Sequence, residues 1–249
     1  MKPILFSTPM VQAILAGNKT MTRRIIKHFG NSLHYGTLLC DWGLSNPPYI
    51  ENGILKWTLQ TEVDDAQTFK IKPRYQPGDI LWVRETWRIA GWDEGESFTI
   101  EFKDGRLKHD VFLNEERAED YWIECTDQCI NAGFKTDEND NFIIPKGKLP
   151  TKWMPSIFMP KAAALIFLKV TDVKVERLQD ISEEDAMKEG YTYSDWHKMN
   201  EDAAGMSLCS IPGKPILWFH ELWESINGKG SWERNPWVWC YSLEKLNNK

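Results

Sequence analysis

The stretch that decides the fold is YQPGDILWVRETWRI, residues 75–89. Pro77, Gly78 and Asp79 have turn chemistry and lead into a run of alternating side chains, which predicts a strand. One face of this strand is apolar until Glu85. Because an unpaired charge in a core is too costly, we expect this carboxylate to be paired, hydrogen-bonded or at the mouth of a cavity.

Upstream of this strand, the sequence predicts a strand in PILFS and a helix over about residues 9–16. Thr8 and Pro9 are typical of a helix N-cap and first helical residue, and Gly17 can adopt the left-handed conformation that ends a helix. The segment KTMTRRIIK, residues 19–27, is rich in β-branched residues and predicts a strand.

Downstream, four further segments have clear secondary-structure signals. Residues 156–178 include a long strand, and residues 180–190 predict a short helix that Ser182 caps and Gly190 ends. Residues 211–230 predict a helix with one apolar face formed by Ile216, Phe219, Trp223 and Ile226. The alternating residues 235–246 predict a closing strand.

Two regions fit this pattern poorly and are interpreted as insertions. Residues 28–72 combine turn chemistry with a single strand or hairpin arm. Residues 91–150 mix acidic runs with short aromatic segments, which predicts a hairpin with solvated loops. Since no internal repeat or low-complexity linker is present, we expect a single α+β domain over residues 1–249.

Composition limits the classes of function. The formal net charge of −6 argues against nonspecific binding to long nucleic acid, which requires a basic surface. No apolar run approaches the roughly 20 residues of a membrane span, and no signal peptide is evident, so we expect a cytoplasmic protein without a membrane partner. Five irregularly spaced cysteines and five scattered histidines predict no metal site, and the absence of a glycine-rich phosphate loop predicts no cofactor.

Lysine, hydroxyl and carboxylate groups are the remaining chemistry. Lys19 and Thr22 would face opposite ways in a straight strand, so a contact between them requires Lys19 to lie in the turn after Gly17. The alternative is an exposed lysine and an edge-strand threonine. Glu189 lies in the last turn of its helix, where the helix dipole disfavours a negative charge unless a cation is near; the alternative is an ordinary exposed helix end.

Three separated motifs resemble the ASCH domain family, a group of small β-barrels related to the PUA fold. They are ILAGNKTMTRR at residues 14–24, QPGDILWVRETW at 76–87 and ISEEDAMKEG at 181–190. The segment that begins at Ser156 also resembles the longer ASCH proteins of bacteriophages and bacteria. The resemblance implies a PUA-like barrel with flanking helices, elaborated by the two insertions.

One branch of this family consists of bacterial N4-acetylcytidine amidohydrolases, hydrolases of a non-peptide C–N bond. The resemblance implies that Lys19 and Thr22 are the catalytic lysine and threonine of this branch. Aligning the short helix implies Glu189 as the catalytic glutamate. The neighbouring residues that stand as alternatives are Glu183, Glu184 and Thr20.

This triad has a plausible mechanism. The Thr22 hydroxyl would attack an acyl carbonyl, and a neutral Lys19 would accept its proton while Glu189 holds the lysine. Burial, or the charge of Arg23 or Arg24, would have to lower the lysine pKa from about 10.4. Glu189 would oppose that shift.

The implied partner is a small modified nucleoside, with RNA as a further partner. Trp82, Trp87 and Glu85 would stack on cytosine and accept a hydrogen bond from it, although core packing is the alternative for each tryptophan. The full set of expected substrate-binding residues is Arg23, Arg24, Glu85, Trp82, Trp87, Ser156, Met159, Lys161 and Trp237. Two other functions stay open: a noncatalytic module that binds RNA or a modified base, and a ribonuclease.

Overall fold

The computed structural model describes residues 1–26, 49–51, 54–59, 67–93, 97–145, 147–192 and 214–247. Within these ranges the chain is a mixture of strands and helices, which confirms the α+β class. The strands are β1 Lys2–Leu5, β2 Met21–Ile25, β3 Tyr49–Glu51, β4 Ile54–Leu59, β5 Gln67–Ile71, β6 Ile80–Arg84, β7 Trp87–Asp93, β8 Ser97–Phe102, β9 Leu107–Val111, β10 Phe167–Arg177 and β11 Trp237–Leu246. The helices are α1 Thr8–Leu15, α2 Glu115–Asn131, α3 Glu183–Lys188 and α4 Lys214–Asn227.

Backbone contacts divide the chain into two compact units. Unit 1 consists of residues 1–11, 81–167 and 247, and unit 2 consists of residues 12–80 and 168–246. In unit 1, β1 runs parallel to β6, and β7, β8 and β9 form an antiparallel sheet. The core of unit 1 is mainly aromatic and aliphatic, and its almost fully buried side chains include Trp87, Phe98, Ile100 and Phe102.

Helix α2 in unit 1 corrects the prediction for residues 91–150. The sequence analysis expected a hairpin with solvated loops, and the hairpin is present as β7–β9, but a helix of 17 residues follows it. Ala118, Tyr121, Cys125 and Cys129 lie at helical spacing: Ala118, Cys125 and Cys129 are buried, and the partly buried Tyr121 packs against the core of unit 1. Acidic runs on the other faces obscured this stripe, although Glu115 in the first turn favours a helix start.

Unit 2 contains a sheet in the order β10, β11, β2, and a separate antiparallel sheet β3–β4–β5. Its core is formed by Phe219 and Trp223 of α4 together with residues of α3 and β11. The predicted apolar face of α4 is wrong at Ile226, which is 53% exposed because the helix ends one residue later. In β10 the buried residues Leu168 and Val170 alternate at even positions. Further along the strand, the half-buried Val173 and Val175 alternate at odd positions.

The closed barrel that the resemblance implies is not found: no sheet among the described residues closes on itself. Of the first insertion, residues 28–48 lie outside the described ranges, and β3–β5 belong to the described part. The single-domain assignment stays a prediction. Among the described residues, no helix has the length and apolar character that crossing a membrane requires.

Candidate active site

Lys19 directly follows the exit turn of α1. After the helix ends at Leu15, Gly17 adopts a φ of +81° and turns the chain. The backbone N–H groups of Asn18 and Lys19 both donate to the Ala13 carbonyl, at 2.9 and 3.1 Å. These bonds fix the lysine backbone before β2 begins at Met21.

Glu189 is positioned by the end of α3. The Ser182 hydroxyl accepts a hydrogen bond from the Asp185 N–H at 3.1 Å and so caps the start of this helix. Glu189 is the C-cap residue, and Gly190 follows in the left-handed region with a φ of +114°. Lys19 and Glu189 are paired as an isolated antiparallel bridge, which brings the two loops side by side.

The Lys19 side chain makes two hydrogen bonds to Glu189 in this bridge. Its Nζ donates to Glu189 Oε2 at 2.7 Å and to the Glu189 main-chain oxygen at 2.8 Å. The lysine side chain is 0% exposed and the glutamate side chain 3%. Glu189 therefore has the nearby cation that its place at a helix C-terminus requires.

Burial lowers the pKa of Lys19 below its ordinary value of 10.5, because desolvation disfavours the charged ammonium. Glu189 opposes this effect by its charge and its hydrogen bond, whereas the charges of Arg24 and Arg23 add to it. Burial outweighs the glutamate, so the amine is shifted toward its neutral, basic form.

Arg23 holds the same glutamate from its other oxygen. Its Nη1 lies 3.3 Å from Glu189 Oε1, and its Nη2 lies 3.0 Å from Asp185 Oδ2 and 3.1 Å from Glu176 Oε2. The Arg23 side chain is 0% exposed. These contacts make Arg23 part of an internal network, and its predicted contact with a substrate stays a prediction.

Thr22 lies in β2, directly opposite Tyr241 of β11, and is buried. Strand alternation places Thr22 and the half-buried Arg24 on one face of β2 and Arg23 on the other. Tyr241 packs edge to face against Tyr75 on the Thr22 side, with ring centroids 5.2 Å apart. Within the described residues, the hydrogen bonds given by Lys19 Nζ go to Glu189 rather than to Thr22.

In unit 1, Glu85 is paired, as its place on the apolar face predicted. Its Oε2 accepts a hydrogen bond from Arg106, which also contacts Asp104 at 2.7 Å. Its Oε1 is buried and has no hydrogen-bond partner among the described residues. Burial raises the pKa of Glu85 above its ordinary value of 4.5, and Arg106 opposes that rise.

Three of the expected substrate-binding residues, Trp82, Met159 and Lys161, line a groove of about 520 Å³ in unit 1. The Arg84 guanidinium stacks on Trp82 at 4.7 Å from the ring centroid. The other lining residues are Arg117, Asp120, Tyr121, Glu124, Ile157, Phe158 and Pro160. Ser156 is half-buried at the start of a short 3-10 helix and does not line this groove.

Trp87 and Trp237, the other two tryptophans among the expected substrate-binding residues, differ in exposure. Trp87 is 0% exposed and packs edge to face on Tyr121 in the core of unit 1, so its core-packing alternative holds. Trp237 is half-buried in unit 2, where the Arg177 guanidinium lies 4.5 Å from its ring centroid.

Two carboxylates of the site were missed by sequence reasoning. Asp185 lies four residues before Glu189, a helical spacing that places both on one side of α3. Glu176 belongs to β10, and its contact with Arg23 depends on strand pairing that no local pattern reveals. The helical spacing was the available signal for Asp185.

Comparison with known proteins adds no relative to these observations. The chain matches no family model, no curated protein and no solved structure.

Proposed function

We propose that the protein is an amidohydrolase that removes the acyl group from an N4-acylated cytosine nucleoside, giving the free nucleoside and a carboxylic acid. The observation that carries this proposal is the buried Lys19 amine, 2.7 Å from Glu189, with a pKa lowered by burial. Burial therefore makes the neutral, proton-accepting form of this lysine more accessible than that of an exposed lysine, and strongly perturbed groups concentrate at functional sites.

Each step of the proposed reaction has a group in unit 2. The Thr22 Oγ attacks the acyl carbonyl and transfers its proton to the neutral Lys19 amine. A neutral amine has two N–H groups, which the side-chain and main-chain oxygens of Glu189 accept, and a lone pair that takes this proton. The protonated Lys19 then returns the proton to the departing nitrogen. Water next attacks the acyl-threonine, and the neutral Lys19 accepts a proton from this water and passes it to the departing Thr22 Oγ, which releases the carboxylic acid.

The substrate class fits a catalyst of this strength. The exocyclic nitrogen of cytosine is conjugated with its ring, so it departs more readily than an alkyl amine. Arg24 shares the Thr22 face of β2 and is proposed to stabilise the developing oxyanion together with backbone N–H groups. The base-binding roles of Glu85 and Trp82 belong to this proposal, as do the PUA-like barrel and a cytoplasmic location, whereas Trp87 is buried in the core of unit 1 and is left out of it.

The deciding experiment incubates the purified chain with N4-acetylcytidine and follows cytidine by chromatography. Mass spectrometry of the quenched reaction should find an acyl adduct on Thr22, and Thr22→Val should abolish both the adduct and turnover. Thr20→Val is the matched control, because Thr20 is exposed two residues away. Absence of turnover with several acyl groups would contradict the proposal, and an active Thr22→Val enzyme would contradict the nucleophile.

One observation favours a second function, a noncatalytic module that binds RNA or a modified base. The groove of unit 1 combines Trp82, Tyr121 and Phe158 with the cations Arg84 and Lys161, a lining suited to stacking bases and contacting phosphates. Fluorescence anisotropy with a labelled single-stranded RNA tests it, with Lys161→Ala against the exposed Lys174→Ala in unit 2 as control. Binding that Lys161→Ala weakens, without turnover, would favour this module, and RNA cleavage would favour a ribonuclease.

A further inference from the structure

A second cluster of chemically capable side chains lies in unit 2, at the end of α4. His220 and Glu224 are four residues apart on this helix, and Glu233 comes from the loop that follows it. One ligand atom from each of the three residues lies within 4.8 Å of the others. The spacing between histidines alone does not reveal this combination, because two of the three residues are glutamates.

Two details indicate that the cluster is prepared to hold an ion. His220 Nε2 is shielded from solvent and has no hydrogen-bond partner among the described residues, and it lies 3.9 Å from Glu224 Oε1. A shielded ring nitrogen without a partner is costly unless something binds it. The His220 ring is also packed against Trp232, with centroids 4.9 Å apart, which limits its rotation.

Glu224 is oriented by the same loop. Its Oε1 accepts hydrogen bonds from the backbone N–H groups of Gly230 at 2.8 Å and Trp232 at 3.4 Å. Outer contacts of this kind fix the direction of a ligand carboxylate in metal sites. With a neutral imidazole, the two carboxylates give the cluster a charge of about −2, which favours a divalent cation.

We infer that His220, Glu224 and Glu233 form a binding site for a divalent first-row transition metal ion, for which zinc is the appropriate probe. An imidazole nitrogen beside carboxylates suits zinc and its neighbours, whereas Ca²⁺ and Mg²⁺ prefer oxygen ligands alone. Ligand atoms around one zinc ion lie roughly 3.3 Å apart, since each bond is about 2.0–2.2 Å long. Reaching this spacing requires small shifts of the three side chains, of which Glu233 is exposed.

Such an ion would fasten the end of α4 to residues 228–234. Three protein ligands leave a fourth position for water or for a further ligand. The site is separate from the chemistry proposed for Lys19, and its existence does not depend on that activity.

The test is zinc titration of the full chain after chelator treatment, by calorimetry. We expect one high-affinity site per chain, and His220→Asn and Glu233→Gln should each weaken zinc binding by about tenfold or more. Glu221→Gln is the matched control, because it removes the same charge from an exposed position of α4. His109→Asn controls for histidine loss in unit 1, and Ca²⁺ should not compete.

Cobalt provides a second measurement, since bound Co²⁺ gives visible absorption that reports its ligands. Glu233 is exposed, so Glu233→Gln should keep the circular dichroism of the parent chain while losing the cobalt signal. Absence of zinc binding, or zinc affinity and a cobalt spectrum that neither His220→Asn nor Glu233→Gln changes, would overturn the inference.

Discussion

The two units each bury a glutamate beside a cation, but with different cations. In unit 2, Glu189 holds Lys19, whose side chain is 0% exposed; in unit 1, Glu85 holds Arg106, whose side chain is 25% exposed. Lysine can lose its proton when buried, whereas arginine stays charged in proteins. Burial therefore acts mainly on the cation in unit 2 and on the carboxylate in unit 1, lowering the pKa of Lys19 and raising that of Glu85.

This difference separates two kinds of chemistry. A lysine with a lowered pKa is suited to move protons, and a carboxylate with one oxygen unpaired among the described residues is suited to accept a hydrogen bond. The comparison predicts that substitutions at Lys19 affect turnover most, while substitutions around Glu85 change the response of stability to pH.

The largest effect is expected for Lys19→Met. If Lys19 transfers the proton, its loss should lower kcat for N4-acetylcytidine by about 10²–10⁴-fold. Lys174→Met is the control, because Lys174 is exposed on β10 of the same unit. Turnover of Lys19→Met close to that of the control would remove the distinction between the two pairs.

Glu189→Gln should have the next largest effect, on stability. Removing one partner of a buried ion pair costs about 3–5 kcal/mol, because the remaining charge is left without compensation. Since the pKa of Lys19 lies below 10.5 in the folded chain and Glu189 raises it, the substitution lowers that pKa further. Where the carboxylate of the parent chain is charged, the stability loss should therefore be greatest while Lys19 is protonated and should shrink as the pH rises through the lowered pKa of Lys19, below 10.5.

Urea denaturation at neutral pH and at increasingly alkaline pH measures this effect. Glu184→Gln, which removes an exposed carboxylate of α3, is the control. A loss that is independent of pH would mean that the Lys19 ammonium is not the group left uncompensated.

In unit 1, Glu85→Gln should reveal the opposite dependence on pH. The pKa of Glu85 is raised above 4.5 in the folded chain, so the stability of the parent chain relative to Glu85→Gln should be greatest below pH 4.5. It should decline as the pH rises through the raised pKa, because ionising the buried carboxyl is penalised. Denaturation curves of both proteins from acid to neutral pH test this, and a rising difference would contradict it.

The smallest expected effects on stability come from substitutions at the N-cap residues of α3 and α2. Ser182→Ala removes the hydroxyl that accepts the Asp185 N–H and should cost about 1 kcal/mol. Asn114, at the start of α2 in unit 1, makes no side-chain capping bond, so Asn114→Ala should change stability by less than about 0.5 kcal/mol. Equal losses in urea denaturation would show that the Ser182 bond does not stabilise α3.

Local signals in the sequence were sufficient for much of the site. Gly17, Ser182 and Gly190 marked helix ends, and the position of Glu189 at a helix C-terminus indicated a nearby cation. Lys19 supplies that cation at 2.7 Å, from 170 residues away in the chain. The pairing was predicted through the family resemblance and not through any period in the sequence.

Other features depended on long-range contacts and were not accessible. The contact between Arg23 and Glu176 arises from strand pairing, and Trp87 was distinguishable from Trp82 only through its complete burial. Helix α2 was missed because charged residues outnumber its core stripe. The expected barrel required strand closure, which alternation within single strands does not determine.

Gly190 imposes a steric constraint on the site: there is little room for a side chain at this position. A Cβ at this position would lie 3.1 Å from the Cβ of Ala13 and 3.4 Å from that of Lys19. Its φ of +114° is also strained for any other residue. In a saturation mutagenesis scan of the chain, almost every substitution at position 190 should therefore reduce activity. Gly190 would then show the same intolerance to substitution as the proposed catalytic residues, although it has no side chain.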